Sequence, residues 1–318
     1  MPSPQTQPLL SITRAGQRLV GVGMRGLILL SDDDGKHWQQ RPSPVATDLI
    51  AAAFPTPLQG WVVGHNNVVL HTADGGLSWT KQLDGRRAAI VLEADYLERI
   101  RAGDTSLQPF LDQLVLNDKA GPSLPLLSVW FKDALHGTAV GAFGMVIRTD
   151  DGGKTWHPWL DHVDNPQFLH LNAIVEIDGE IYIAAEQGAL FQFDATSSRF
   201  RLVQTDYAGS FFGITGSKDV LIAYGLRGTL YRSTDRGASW HRWESPLHAT
   251  VTGGVYDASH ASFAFVTAAG EIAVNSAATT PLHLLHAPRP APFTGIQTDT
   301  HGALIASSLA GPIFIGSP

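Results

Sequence analysis

Short apolar runs separated by small-residue turns recur along the whole chain. Each repeat reads as an apolar strand, a G-x-x-G-like turn and a second apolar strand. The second glycine of that turn sets a register at Gly26, Asn67, Gly144, Gly188, Gly228, Gly270 and Gly311. Successive gaps are 41, 77, 44, 40, 42 and 41 residues, so five match one repeat length and the sixth holds an insertion. Asn67 is the one register position without glycine, and Asn is the residue that best tolerates the left-handed backbone of a tight turn. Within a unit the runs read as four short strands. The second unit has them at 49–54, 60–64, 68–72 and 78–82, and the third at 126–131, 137–141, 145–149 and 155–159. The first strands of the other units begin near Leu9, His170, Phe211, Thr250 and Phe293.

A unit of four short strands cannot hide both of its faces, and radial stacking of such units does so while leaving only short edges. The expected fold is all-β: one domain over residues 1–318, a seven-bladed β-propeller of four-stranded antiparallel blades. The chain stops after the third strand of the last unit, near Ile315. Residues 2–7 are therefore expected along the outer edge of that blade, where Pro2 and Pro4 are tolerable because no further ladder needs their N–H groups.

Four units carry S/T-x-D-x-G-x-x-W between third and fourth strands. These are Ser31, Asp33, Gly35 and Trp38; Thr72, Asp74, Gly76 and Trp79; Thr149, Asp151, Gly153 and Trp156; and Ser233, Asp235, Gly237 and Trp240. The residue types suit a tight hairpin: Asp accepts backbone N–H groups, Gly permits positive φ, and Trp wedges between sheets. The pattern is decayed in the fourth unit (Asp194 to Phe200) and absent from the sixth (Asn275 to Leu282). Turn capping accounts for these aspartates better than calcium binding or acid catalysis does.

The turns between second and third strands lie on the opposite face, together with the connections from blade to blade. They present Arg25, His65, Asn66, Phe143, Glu186, Gln187 and Arg227 as candidate partner contacts. The long gap places a helical insertion, residues 85–123, on this interblade-loop face. Ile90, Val91, Ala94 and Leu97 mark one helical side; Leu107, Phe110, Leu111 and Leu114 mark a second, with Ser106 as its N-cap. The insertion could pad the rim or dock a partner. Arg86, Arg87, Arg99 and Arg101 add basic candidates to it, interleaved with Glu93, Asp95 and Glu98, so a solvated helix face is the alternative.

Composition narrows the function. A net charge of −7 argues against a nucleic-acid surface. With no cysteine there is no disulfide framework, thiolate metal site or Cys nucleophile. The 32 Gly and 19 Pro favour turns over long helices. No apolar run is long enough to span a membrane, and MPSPQTQPLL shows no signal peptide; the protein is cytosolic or its signal has been removed. The His spacings give no metal-ligand motif, so neither a metal nor a cofactor is expected. An Asp-box glycoside hydrolase of the sialidase kind is the alternative function. It would need an arginine clamp and paired acids across a cleft, whereas Glu186 is the one acid in the short turns, with Asp161, Asp164 and Asp206 on interblade loops.

The stretches LLSITRAGQRLVGVGMRGLILLSDDDGKHW, GWVVGHNNVVLHTADGGLSW and LLSVWFKDALHGTAVGAFGMVIRTDDGGKTW resemble the photosystem II stability/assembly factor family of BNR-type propellers. The likeness is best from Leu9 to Trp159 and includes the helical insertion. It implies a seven-bladed propeller exported to a thylakoid lumen or periplasm, a monomer acting as a non-enzymatic assembly or accessory factor. The implied partner is a protein, a subunit of a membrane complex, photosystem II in photosynthetic members. Relatives in non-photosynthetic bacteria, the group this chain resembles, imply other membrane complexes, transporters among them.

Overall fold

Each apolar run becomes a strand that pairs only with its neighbours in sequence, because the tight turns leave no chain for a crossover. The computed structural model describes residues 4–119, 121, 123–277 and 280–317. Among them are seven antiparallel sheets, six of four strands and one of three, with strand order following sequence order. The blades span 9–40, 49–83, 126–158, 171–204, 211–243, 251–285 and 293–316. The first strand of each blade packs against the first strand of the next, and Phe293–Thr298 of the seventh packs against Leu9–Ala15 of the first. The result is a seven-bladed β-propeller.

Among the described residues no sheet mixes strands from the two ends of the chain, and side chains join the seventh blade to the first. Thr294 Oγ1 donates to the Leu9 carbonyl at 2.8 Å and Arg14 Nη1 to the Thr298 carbonyl at 3.1 Å. Thr300 donates its N–H and hydroxyl to Asp34 Oδ1 at 3.2 and 2.9 Å. The first of these belongs to a series. In every blade the second residue of the inner strand is bulged out of register: Leu10, Ile50, Leu127, Asn172, Phe212, Thr252 and Thr294. Where that residue is polar, it reaches the first carbonyl of the following blade: Asn172 to Phe211 at 2.8 Å and Thr252 to Phe293 at 2.9 Å.

The expected path of residues 2–7 differs. Pro4–Thr6 closes into a 3-10 turn and adds no strand to blade seven, while residues 2 and 3 lie outside the described residues. The turn packs so closely on Gly311 that a Cβ there would lie 2.2 Å from the Gln5 carbonyl oxygen. Proline gives no N–H to a ladder, so this segment supplies little that could pair.

The four Asp-boxes form as expected, with the Ser or Thr hydroxyl as their hub. In the second blade Thr72 Oγ1 donates to Asp74 Oδ1 at 2.7 Å and accepts the Gly76 N–H at 2.9 Å. Asp74 then accepts the N–H and hydroxyl of Ser78 at 2.9 and 2.6 Å. Gly76 has φ 90°, and Trp79 Nε1 donates to its carbonyl at 3.0 Å. The boxes at Ser31, Thr149 and Ser233 repeat the hydroxyl–Asp bond at 2.9, 2.9 and 2.7 Å.

The insertion forms two helices, α1 (Gly85–Arg101) and α2 (Gln108–Asp118). The expected face of α1 is corrected: Ala88, Leu92 and Tyr96 are buried, whereas Ile90 is 71% exposed and Leu97 37%. Counting aliphatic residues alone overlooks Tyr96, whose hydroxyl has a partner waiting in the protein. Ser106 is likewise no cap. Its hydroxyl donates to Asp104 Oδ1 at 2.6 Å, and α2 is entered through the 3-10 turn Thr105–Leu107. The cap that does form is Asp84, whose carboxylate accepts the Arg87 N–H at 3.1 Å. The expected stripe Leu107, Leu111 and Leu114 is buried, with Phe110 packed against it. Both helices share one core with blades two and three, where Trp61 stacks on Phe131 at 3.6 Å between ring centroids.

The boxes give the fold a defined acid limit. The Asp33 carboxylate is held down to about 2 by the His37 N–H and ring. For Asp74 burial pushes upward, but the Ser78 and Thr72 bonds outweigh it, again to about 2; Asp235 reaches about 2 mainly through Ser239. These values lie below those of an unfolded aspartate (about 3.9). Their stabilisation is therefore complete above that value and lost as pH falls toward 2. Melting temperature should stay level from neutrality to about pH 5 and drop steeply between about pH 4 and 2. In the double variant Asp74→Asn, Asp235→Asn, thermal scans should give a lower melting temperature at pH 7 and a shallower acid drop.

Candidate functional site

The turns between second and third strands and the starts of the inner strands share one face, which the return of the insertion joins near Ser123, while α1 packs along the outer strand of blade three. In all seven blades the first residue of that turn donates its N–H to the carbonyl just before the inner strand. Examples are Met24 to Pro8 at 3.3 Å, His65 to Asp48 at 3.0 Å and Leu309 to Pro292 at 3.1 Å. The return of the insertion is bonded to the same face, with the Asn66 and Asn67 N–H groups donating to the Ser123 and Leu124 carbonyls at 3.3 and 2.8 Å. Beside these bonds runs a groove lined by Asn66, Asp84, Gly85, Arg86, Gly121 and Ser123.

Five turn tips hold a non-glycine residue in the left-handed region: Arg25 (φ 56°), Asn66 (61°), Phe143 (53°), Gln187 (55°) and Arg227 (55°). Each directly precedes its register residue and is exposed. Met24, Phe143 and Leu309 add apolar surface here, at 43, 45 and 45% exposure. Contacts string the tips of blades one to four into an arc. The Arg25 N–H donates to Asp48 Oδ1 at 2.8 Å, and the Asn66 side-chain amide lies 3.5 Å from Thr47 Oγ1. The Phe143 ring meets the His170 ring edge-on at 4.5 Å, and the His170 N–H donates to Glu186 Oε2 at 3.0 Å. His65 is exposed next to Asn66, and Arg227 stands on the fifth blade.

The arginines of the insertion separate into two kinds. Arg86, Arg87 and Arg101 are exposed, but they sit at opposite ends of α1, about 20 Å apart at 1.5 Å per residue. Arg99 is held by the scaffold. Its Nη2 donates to Asp161 Oδ2 at 2.8 Å, and its guanidinium lies 5.3 Å from the Tyr96 ring centroid. Tyr96 donates its hydroxyl to Asp161 Oδ1 at 2.8 Å. Burial pushes the Asp161 carboxyl up, but contacts from His162, Tyr96 and Arg99 outweigh it and hold the group at about 2. Burial, followed by the Asp161 charge, pushes the Tyr96 hydroxyl up. This clamp fixes the insertion to the connection between the third and fourth blades.

The acids weighed for hydrolysis are all engaged. Besides Asp161 and Glu186, Asp164 pairs with Arg199 and Arg201 at 3.0 and 3.2 Å, and Asp206 accepts the Tyr231 hydroxyl at 2.7 Å. The bulged residues were not legible as surface in the sequence. Leu10, Ile50 and Leu127, all half-buried, are apolar at this end of blades one to three, as Phe212 is in blade five, while Asn172, Thr252 and Thr294 are polar. Their signal is the second position of each inner strand, which only the repeat register reveals.

The family described as "Photosynthesis system II assembly factor YCF48" matches residues 12–89, and the BNR/Asp-box repeat matches 147–158. The chain is 29% identical over 179 residues to the photosystem II assembly protein Ycf48 of Synechococcus sp. (strain JA-2-3B'a(2-13)), covering 51% of each protein. It is 32% identical over 139 residues to the photosystem II assembly lipoprotein Ycf48 of Synechococcus sp. (strain CC9902), covering 42% of this chain and 31% of that one. The chain thus spans about half the length, or less, of these curated relatives. Among solved structures it resembles "YCF48 bound to D1 peptide" with a TM-score of 0.72 and 16% identity, over 100% of this chain and 96% of that one. The chain is thus similar over part of its length to photosystem II assembly proteins and to the BNR/Asp-box repeat, and shares its fold with a solved YCF48.

Removing the Asp161 charge should weaken the polar join between the insertion and the ring. Asp161→Asn leaves half-buried Arg99 with only its longer 3.8 Å pairing to Asp95 and should destabilise the protein by about 2 kcal/mol. Arg101→Ala, at an exposed helix end, should stay within about 0.5 kcal/mol of the parent. Urea denaturation of the two variants checks the difference.

Proposed function

We propose that this chain is a non-enzymatic, protein-binding assembly or accessory factor, monomeric and exported, that docks a segment of a membrane protein complex on the turn-tip face, which the return of the insertion joins. The seven-bladed ring and the likeness to photosystem II assembly proteins support the general role. The solved YCF48 carries a D1 peptide, and one relative is named a lipoprotein; both favour a partner at a membrane and a place outside the cytoplasm, such as the periplasm. No described helix is long and apolar enough to cross a membrane.

One observation carries the choice of face. A non-glycine residue in the left-handed region costs on the order of 1 kcal/mol, and five turn tips here bear that strain while projecting Arg, Asn, Phe, Gln and Arg side chains. Asp34, Asp178, Ser198, Arg236 and Ala261 take the same conformation on the opposite face, so what favours this face is the side chains its tips expose beside Met24 and Leu309, whereas the Asp-box carboxylates opposite are bonded within their own turns. Arg25, Arg227, Arg86 and Arg87 around Met24, Phe143 and Leu309 suit an apolar segment flanked by carboxylates; His65, Asn66, Glu186 and Gln187 complete the surface. Arg99 supports it indirectly, by seating α1, and Arg101 extends it along that helix.

Deleting the insertion is a poor test, since its helices share the core of blades two and three. Point changes at the tips separate binding from folding. Phe143→Asn should leave stability within about 0.5 kcal/mol, because Asn tolerates the left-handed region. Combined with Arg25→Glu and Arg227→Glu, it should lower capture of a photosystem or transporter subunit from solubilised envelope membranes at least tenfold. Mass spectrometry identifies the subunit and thermal melts check the fold. Undiminished capture by the folded triple variant would dismiss this face.

A further inference from the structure

The third Asp-box differs from the other three in one bond. Trp38, Trp79 and Trp240 donate Nε1 to the glycine carbonyl of their own box at 2.9, 3.0 and 3.0 Å. Trp156 Nε1 is buried and has no acceptor. Gln82 of blade two intrudes on this box. Its Nε2 donates to the Gly152 carbonyl at 2.8 Å, and its side chain lies so close to Gly153 that no Cβ would fit there. A buried donor without a partner is a standing cost to the fold.

Trp156, 4% exposed, also helps to wall a groove of about 300 Å³ between α1 and blade three. The chain from Gly152 to Asp161 runs beside α1 in the same direction. Gln82, just before the helix, bonds Gly152; His157 Nδ1 lies 2.7 Å from Asp95 Oδ2; Asp161 meets Tyr96 and Arg99. Leu83, Val91, Ala94 and Trp156 give the groove apolar surface along its length.

The two ends of the groove differ in charge. Arg87 and Lys154 line the end where the helix starts, and their side chains are exposed and in no ion pair among the described residues. Glu98, exposed and equally unpaired, lines the other end with Asp95. Asp95 gives one oxygen to His157, while its Oδ1 makes no hydrogen bond and has Arg99 Nη1 at 3.8 Å. Position 87 precedes positions 95 and 98 by eight and eleven residues, so about 12–17 Å of helix separates the opposite charges.

We propose that this groove binds a free short peptide, about four residues long, as a zwitterion. Its carboxylate meets Arg87 and Lys154, and its ammonium meets Glu98 and Asp95. A backbone carbonyl supplies the acceptor that Trp156 Nε1 lacks, and apolar side chains lie on Leu83, Val91 and Ala94. Four extended residues reach about 13–14 Å, the span the charges set. A single amino acid is too short to bridge both ends, and a polyanion or polycation would be repelled at one of them. The site shares Arg87 with the turn-tip surface and is otherwise separate from it.

The probe is the tetrapeptide alanyl-leucyl-leucyl-alanine. In isothermal titration with the full chain it should bind below about 1 mM. Amidating its carboxylate or acetylating its amine should each weaken binding about tenfold. The amide penalty should vanish in the double variant Arg87→Gln, Lys154→Gln, and the acetyl penalty in Glu98→Gln. These residues are exposed, so thermal melts should match the parent. In nuclear magnetic resonance of the isotope-labelled protein, the Trp156 indole proton should move downfield on titration while those of Trp38, Trp79 and Trp240 hold still. The turn-tip variant Arg25→Glu, Phe143→Asn, Arg227→Glu should bind the probe as the parent does, so the two sites fail separately. No binding at about 1 mM, equal affinity of free and capped peptides, or an unmoved Trp156 signal would overturn the proposal. Sensitivity to the amide without sensitivity to the acetyl group would overturn the choice of occupant in favour of the C-terminus of a longer chain.

Discussion

A thin antiparallel sheet has two faces and can shelter neither alone; the structure depends on each blade lending one face to the next. The contact is made at two radii. Near the axis, the inner strands lie side by side and polar bulge residues such as Asn172 and Thr252 satisfy carbonyls of the following blade. At the periphery, a Trp, Phe or Leu from each complete outer hairpin wedges against the preceding sheet. Burial of such a side chain contributes roughly 1.5–3 kcal/mol, so the peripheral wedges are a large part of what holds a ring that has no shared closing strand among its described residues. The join between the seventh and first blades uses Thr294, Arg14 and Thr300 instead.

That arrangement distributes rigidity and chemistry between opposite faces. The Asp-box side is densely self-bonded: every box carboxylate is occupied by hydroxyl and amide donors of its own turn, which leaves those aspartates little capacity for a ligand. The turn-tip side carries exposed basic and apolar side chains. It holds the exposed tips and the return of the insertion near Ser123. Because α1 and α2 complete the core of blades two and three, the insertion is part of the scaffold that presents this face, and the Tyr96–Asp161–Arg99 clamp is the polar join that sets its position.

Much of this was legible in the residues. The glycine register gave the blade count, because a left-handed turn admits few other residues, and the S/T-x-D-x-G-x-x-W motif gave the hairpins, because its bonds are local. The second inserted helix was legible for the same reason: Leu107, Leu111 and Leu114 repeat at a helical period. The first defeats the same counting, since Ile90 and Leu97 look like core and are exposed while Tyr96 is buried. Its position depends on Asp161, which lies 65 residues further along the chain.

The sequence alone therefore determined the repeat, the number of blades, the local turn chemistry and the family likeness, all of which depend on contacts within a few residues. Only the tertiary structure decided which arginine is committed to a buried carboxylate, which helix face is hidden, and that a groove with opposite charges at its ends lies between α1 and blade three. Those outcomes arise from groups that the ring brings together across long stretches of chain. No periodicity records such a meeting, because burial and charge compensation belong to the assembled neighbours and not to either segment alone.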